Sequence, residues 1–362
     1  MLNREKRLKK IFFLLPNSAS KPVGGVKVVL EYANRLAKDG YYVSLVYAAY
    51  SRWCKFGLLH TLYYLYRFII AKISGNFKPR WFLVDQRIEQ TLVWSFDKFQ
   101  YFKDATFIAT AVDTAFYLNR YKTNSNNKFY FIQDFENWFV SDEFVRQTYH
   151  YDMKKIVVST WLKNIIEDCG EQAVLVPNGF DMNFFNLSTS IQDRDSNEII
   201  CLYHTDKRKG LDVAFQAFEG VKKICPNLHV TLFGSPPKPE NLADWYSYYQ
   251  QPDRETFNRI YNRAAIFVGA SYAEGWGLTI GEAMLCGCAV ACTDNLGYLE
   301  MAKDGETALV SPVGQYKPLA DHIIQLIKDN ELRQRIAKAG NAFIHQMDIE
   351  TSYRQFKKAI CI

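Results

Sequence analysis

Short apolar runs alternate with stretches of helical periodicity along most of the chain, and that alternation confines it to α/β folds built on parallel sheets. In a first series, the runs at 11–15, 42–47, 106–111, 128–132, 155–159 and 173–176 are almost continuously apolar, as strands covered by helices on both faces must be. A helix follows the first run, with Val28, Val29, Tyr32, Ala33 and Leu36 on its apolar face and Gly40 as its stop. A second series has strands at 199–203, 228–233, 266–269 and 289–293, helices at 211–224, 254–264 and 279–286, and a helical tail after Pro318. With 362 residues there is chain enough for two cores. The polar stretch from Asn186 to Asn197 has the composition of a linker between them. The expected domains are therefore 1–185 and 186–345, with a C-terminal helix at 346–362 packing back on the first. Two parallel sheets of this kind are expected to face each other across a cleft.

Charge is unevenly spread. Residues 1–130 hold 21 Lys and Arg against 8 Asp and Glu, whereas residues 131–362 hold 23 against 30. A basic, aromatic-rich first half suits an anionic partner, although a solvated surface of one sign gives the same pattern. Nucleic acid is the least expected partner, because the cations belong to no recognised reading element. The eight cysteines include no C-x-x-C pair and are read as reduced; Cys201, Cys286, Cys288 and Cys292 lie in or beside apolar runs. The basic opening from Arg4 to Lys10 leads into a strand-like run and not a secretory signal, so a cytoplasmic location is expected, with docking on the inner face of the membrane as an extension.

The most informative segment runs from Ser271 to Met284, SYAEGWGLTIGEAM. It reads as a strand end, a glycine-bearing loop and a helix start, an arrangement that presents free N–H groups to a diphosphate. Gly275 and Gly277 allow close backbone approach, and Trp276, Leu278 and Thr279 complete the cradle. An anion beside a diphosphate is repelled unless it faces hydroxyls. Glu282, placed in the first helical turn, is thus assigned to the ribose, and Glu274 to the sugar near its anomeric carbon. A helix start with a favourable glutamate explains the same residues without a ligand.

This segment resembles the signature of the retaining GT-B glycosyltransferases, glycosyltransferase family 4. Pro177-Asn178-Gly179-Phe180-Asp181, Lys209-Gly210, Gly297-Tyr298-Leu299-Glu300 and the stretch from Asp304 to Pro312 are similar to further family segments, and the glycine pair Gly24-Gly25 to another. The resemblance is dense from about Val157 onward and sparse before it. It implies a GT-B fold, a nucleoside-diphosphate sugar as donor substrate with no cofactor, and transfer with retention to a glycan or lipid-linked acceptor in cell-envelope polysaccharide synthesis. Lys209 is the expected stabiliser of the departing diphosphate. The family places an arginine five residues earlier, where this chain has His204, so Arg208 is a candidate substitute. The family's histidine after the middle strand of the first domain is missing too: the chain reads Thr110-Ala111-Val112-Asp113-Thr114 there. Asp113, Asp134 and Glu136 are candidates for the acceptor side, and each also reads as a cap or surface carboxylate. Two rivals stay open, a sugar-nucleotide epimerase of the same shape and a non-catalytic binding partner that kept the fold.

No metal is expected. Asp193-Arg194-Asp195 has an Asp-x-Asp form, but it lies in the polar stretch, and two carboxylates make a poor cage. The aromatic run at 56–71 is too short to span a bilayer and is interrupted by Arg67. With Lys55, Lys72, Lys78 and Arg80 it reads either as a helix docking on an anionic membrane surface or as an ordinary core or acceptor-site helix.

Overall fold

The computed structural model describes residues 9–16, 22–51, 57–99 and 104–361. Lys55, Cys54, the Arg4–Arg7 part of the basic opening and positions 17–21 of the first loop lie outside them.

The chain forms two units, one of residues 1–177 and 353–362, the other of residues 178–352. In the first, β1 (Lys10–Leu15), α1 (Gly24–Lys38), β2 (Tyr42–Ala48), α2 (Leu58–Ser74), β3 (Glu89–Val93), β4 (Thr106–Ala109), α3 (Val112–Asn119), β5 (Lys128–Ile132), α4 (Asp142–Tyr149), β6 (Lys154–Val157), α5 (Thr160–Asp168) and β7 (Ala173–Leu175) follow in order. The strands make one sheet, β3-β2-β1-β4-β5-β6-β7, in which every pairing is parallel. β1 and β5 are buried on both faces, which explains why their sequences are apolar without alternation. The α1 face of Val28, Val29, Tyr32, Ala33 and Leu36 is buried, and Gly40 supplies the left-handed residue just after the helix at φ +89°.

The second unit begins with β8 (Glu198–Leu202), α6 (Leu211–Ile224), β9 (His229–Gly234), β10 (Tyr246–Gln250) and α7 (Arg254–Arg263). It continues through β11 (Ile266–Gly269), α8 (Leu278–Leu285), β12 (Ala289–Thr293), β13 (Ala308–Ser311), α9 (Tyr316–Lys328) and α10 (Asn330–Ile344). Its sheet is ordered β10-β9-β8-β11-β12-β13, again parallel throughout. The last helix, α11 (Ile349–Ala359), carries the chain back into the first unit. There Phe356 is fully buried, stacked on Tyr32 at 4.4 Å and edge-on to Phe131 at 5.3 Å. Asp39 accepts from Tyr353 Oη and Lys357 Nζ at 2.7 and 2.5 Å, and the lysine holds its carboxyl below the usual range.

Two expectations need correction. The units part at Pro177, ahead of residue 185, because Phe180 is already fastened into the second unit. Its N–H donates to Met347 O, Ile349 N–H donates to its carbonyl, and its ring fills the space over Gly281. The stretch 186–197 is no linker. It is a strap on the second unit, held by the buried Arg194, whose guanidinium donates to Ala264 O at 2.8 Å, Thr189 O at 2.9 Å and Cys286 O. Asn262 adds to the strap by accepting from Ser188 N and Thr189 N. With its middle residue so occupied, Asp193-Arg194-Asp195 works as a structural staple.

Candidate active site

The site in the second unit is assembled at the carboxyl ends of β8, β11 and β12. After β8 the backbone makes a tight turn, Lys207–Lys209, closed by Gly210 at φ +62°. A Cβ on Gly210 would lie 1.9 Å from Ala270 O, so glycine is required both by the backbone angle and by the close approach to β11. This contact, with Tyr272 N–H donating to Arg208 O at 2.7 Å, pins the basic turn against the loop that follows β11.

Lys209 and Glu274 consequently meet. Lys209 Nζ donates to Glu274 Oε1 at 2.7 Å, and Ser271 Oγ donates to the same oxygen at 2.8 Å. Ser271 spends its proton there, so Tyr298 Oη is the donor in the 3.1 Å contact with Ser271 Oγ. Burial first, and the Glu274 charge second, push the Tyr298 phenol well above its ordinary pKa and keep that proton in place. Behind it, Thr293 Oγ1 and Asn295 Nδ2 donate to Ser271 O at 2.6 and 3.1 Å, and Asn295 Oδ1 accepts from Tyr298 N. Glu274 Oε2 meets no protein donor among the described residues. The pair is thus held from behind, with one carboxylate oxygen and two ammonium protons left over.

The loop reaches α8 through Gly277 at φ +100°, where a Cβ would strike the Tyr298 ring at 2.6 Å. Gly277 is the N-cap residue and has no side chain with which to cap, so the first N–H groups of α8 receive no side-chain cap. Leu278 and Thr279 are the first two helical residues. Because the helix opens at Leu278, Glu282 is its fifth residue and begins the second turn, in place of the first-turn position expected; it is 6% exposed. Trp276 is buried, with its indole N–H unpaired among the described residues.

His204 and Arg208 take positions that limit their charge. His204 Nδ1 accepts from Asp206 N at 3.0 Å, and burial, followed by the nearby Lys209, lowers the imidazole pKa below 6.5. Arg208 folds back on Asp206, donating from Nε and Nη2 at 3.1 and 2.9 Å. Burial opposes ionisation of Asp206, but the Arg208 hydrogen bonds outweigh it and hold that carboxyl below its usual value. Lys209 therefore sits between a neutral imidazole and an internally balanced ion pair. Ser271, Tyr298, Asn295 and Gly297 were not chosen as site residues from sequence. The signal for Gly297 is steric: a Cβ there would lie 2.2 Å from Glu274 O.

In the first unit, Gly24 and Gly25 open α1, and Gln133 Nε2 donates to Gly25 O at 3.1 Å. Glu136 Oε2 accepts from Val112 N at 2.7 Å, which makes it an anionic cap on α3. Asp113 is buried in the first turn of α3, and Asp134 Oδ1 accepts from Phe135 N at 2.9 Å. These residues follow the carboxyl ends of β1, β4 and β5, and Asp134 and Glu136 each accept one backbone N–H.

Residues 188–343 match the family model for Glycosyl transferases group 1. That match covers the Lys209–Glu274 site entirely. The phosphatidyl-myo-inositol mannosyltransferase of Mycobacterium tuberculosis is 26% identical over 197 residues, 51% of this chain and 52% of that protein. A capsular polysaccharide biosynthesis glycosyltransferase of Staphylococcus aureus is 28% identical over 42% of this chain and 44% of its own length. The chain spans about half the length of the curated relatives it matches. Among solved structures, Anabaena Alr3699/HepE in complex with UDP and glucose superposes with TM-score 0.70 at 16% identity, covering 97% of this chain and 99% of its own. Sucrose-phosphate synthase from Thermosynechococcus elongatus gives TM-score 0.72 at 16% identity, covering 97% and 98%. At such identity the likeness establishes the fold alone, which is that of the GT-B glycosyltransferases. Among the described residues no helix is long and apolar enough to cross a membrane.

Proposed function

We propose that the chain is a retaining glycosyltransferase that takes a sugar from a nucleoside-diphosphate donor and places it on a glycan or lipid-linked acceptor of the cell envelope. The observation that carries this reading is the Lys209–Glu274 contact at 2.7 Å beside the uncapped start of α8. As the bond from the anomeric carbon to the diphosphate breaks, negative charge builds on the leaving phosphate. The two remaining Lys209 protons and the N–H groups of the Trp276–Thr279 segment are suited to meet it. Glu274 Oε2 holds a sugar hydroxyl, while its Oε1 keeps Lys209 aimed. Glu282 holds the ribose. The acceptor hydroxyl attacks from the face the diphosphate leaves and passes its proton to the departing phosphate oxygen, so the anomeric configuration is kept. Of the first-unit carboxylates, Asp134 is the acceptor contact, since Glu136 caps α3 and Asp113 is buried. Lys209 and the helix start supply the electrostatics asked of a metal elsewhere, and the reaction runs without one.

Incubation with a panel of UDP- and GDP-sugars and envelope glycans, read by mass spectrometry and anomeric NMR, tests the reading. Free nucleoside diphosphate with an α-linked product from an α-linked donor supports it. An isomerised nucleotide sugar with no diphosphate released replaces it with epimerisation, and full loss of activity in chelator that manganese restores removes the metal-free mechanism.

A further inference from the structure

Helix α2 has an apolar sequence, LLHTLYYLYRFIIAKIS, yet none of its residues is buried. It is attached to its own unit along one narrow stripe. Tyr64 meets Tyr50 at 5.8 Å, Phe68 meets Trp94 edge-on at 5.8 Å, and Ala71 continues the line one turn on. At about 100° per residue, the opposite arc, about 100° wide, presents Leu58, Leu59, Leu62, Tyr66, Ile69 and Ile73. All six are exposed, Leu59 and Ile73 at 80%. Arg67 and Lys72 flank this arc, one on each side.

The chain segment that contains α2 carries charge of one sign. No Asp or Glu occurs between Asp39 and Asp85. Arg67, Lys72, Lys78 and Arg80 meet no carboxylate among the described residues; Arg67 instead donates to Tyr63 Oη and Arg80 to Asn76 Oδ1. A second copy of the chain packed across a two-fold axis on this face would bring the same cations together with no acid to pair them. An anionic bilayer offers acyl chains to the arc and phosphates to its flanks. At 17 residues the helix is too short to cross and is suited to lie in the plane of the interface.

We infer that α2 is a membrane-docking helix for anionic lipid, with its outer arc among the acyl chains and Arg67 and Lys72 reaching the headgroups. This goes beyond the transfer reading and is tested without turnover. Flotation with mixed phosphatidylcholine–phosphatidylglycerol vesicles at low salt carries the protein upward, and flotation with pure phosphatidylcholine leaves it below. Leu59→Ser with Ile73→Ser, and separately Arg67→Gln with Lys72→Gln, abolish flotation while the melting temperature stays at the wild-type value. The charge pair lowers partitioning about 30-fold. Wild-type protein that stays below with anionic vesicles, or variants that float as it does, overturn the proposal. A wild-type dimer in sedimentation velocity that the Leu59/Ile73 variant dissolves, with no flotation, assigns the face to a second copy instead.

Discussion

The two units make sheets of the same kind and place carboxylates at the same ends of their strands, but they use those carboxylates differently. In the first unit Glu136 closes the open start of α3, so its charge is committed to the backbone. In the second, no side chain caps the start of α8, and Glu274 is turned toward Lys209. The difference comes from glycine. Gly210 and Gly277 take backbone angles and close approaches that a side chain forbids, and these bring the lysine and the carboxylate together. Where the chain satisfies its own helix it has a scaffold. Where it leaves a helix start uncapped and aims a cation beside it, the proposed function has its place for an anion.

The sharpest way to break this contrast is Lys209→Met. Transfer is expected to fall by about 10²–10³ in kcat, while the melting curve stays close to wild type because Ser271 still holds Glu274. An unchanged kcat would reduce the second unit to a scaffold like the first. Gly210→Ala attacks the geometry and not the charge. With its Cβ driven into Ala270 O it should lower unfolding free energy by about 2–4 kcal/mol in a denaturant titration and weaken UDP binding with it.

Glu136→Ala is the matching change in the first unit. It should cost about 1 kcal/mol of stability through the lost cap and leave nucleotide affinity untouched. Weaker nucleotide binding in that variant would erase the distinction between the units. His204→Arg is the smallest and most informative step. A fixed cation in place of a neutral imidazole should tighten UDP binding by up to about five-fold in calorimetry. The wild-type imidazole also gives a pH signature. Its folded-state pKa lies below 6.5, so the unfolded chain takes up a proton first as the pH falls. The stability associated with His204 is complete above pH 6.5 and is lost as the pH drops below it, and that slope should vanish in His204→Arg.

The sequence made some of this legible and hid the rest for identifiable reasons. Central strands such as β1 and β5 could be read because burial on both faces leaves them no polar alternation. β3, β10 and β13 were missed, and all three are edge strands; EQTLV and YSYYQ carry the polar residues that an exposed edge requires. The stretch 186–197 was misread because polarity alone cannot distinguish a linker from a strap whose one arginine is buried under carbonyls. The Ser271–Glu282 turn was visible through its glycines. Tyr298 was quoted only within a family segment, because its task, donating to Ser271, depends on β12 and β11 lying side by side.

In the proposed function the second unit grips a diphosphate between Lys209 and the start of α8. A crystal structure of the full chain soaked with UDP tests it most directly. Phosphate oxygens are expected within hydrogen-bonding distance of Lys209 Nζ and of main-chain N–H groups between Gly275 and Thr279. A nucleotide bound elsewhere, with the Lys209–Glu274 contact left as it is and no phosphate near it, would show that Lys209 and α8 do not form the diphosphate site.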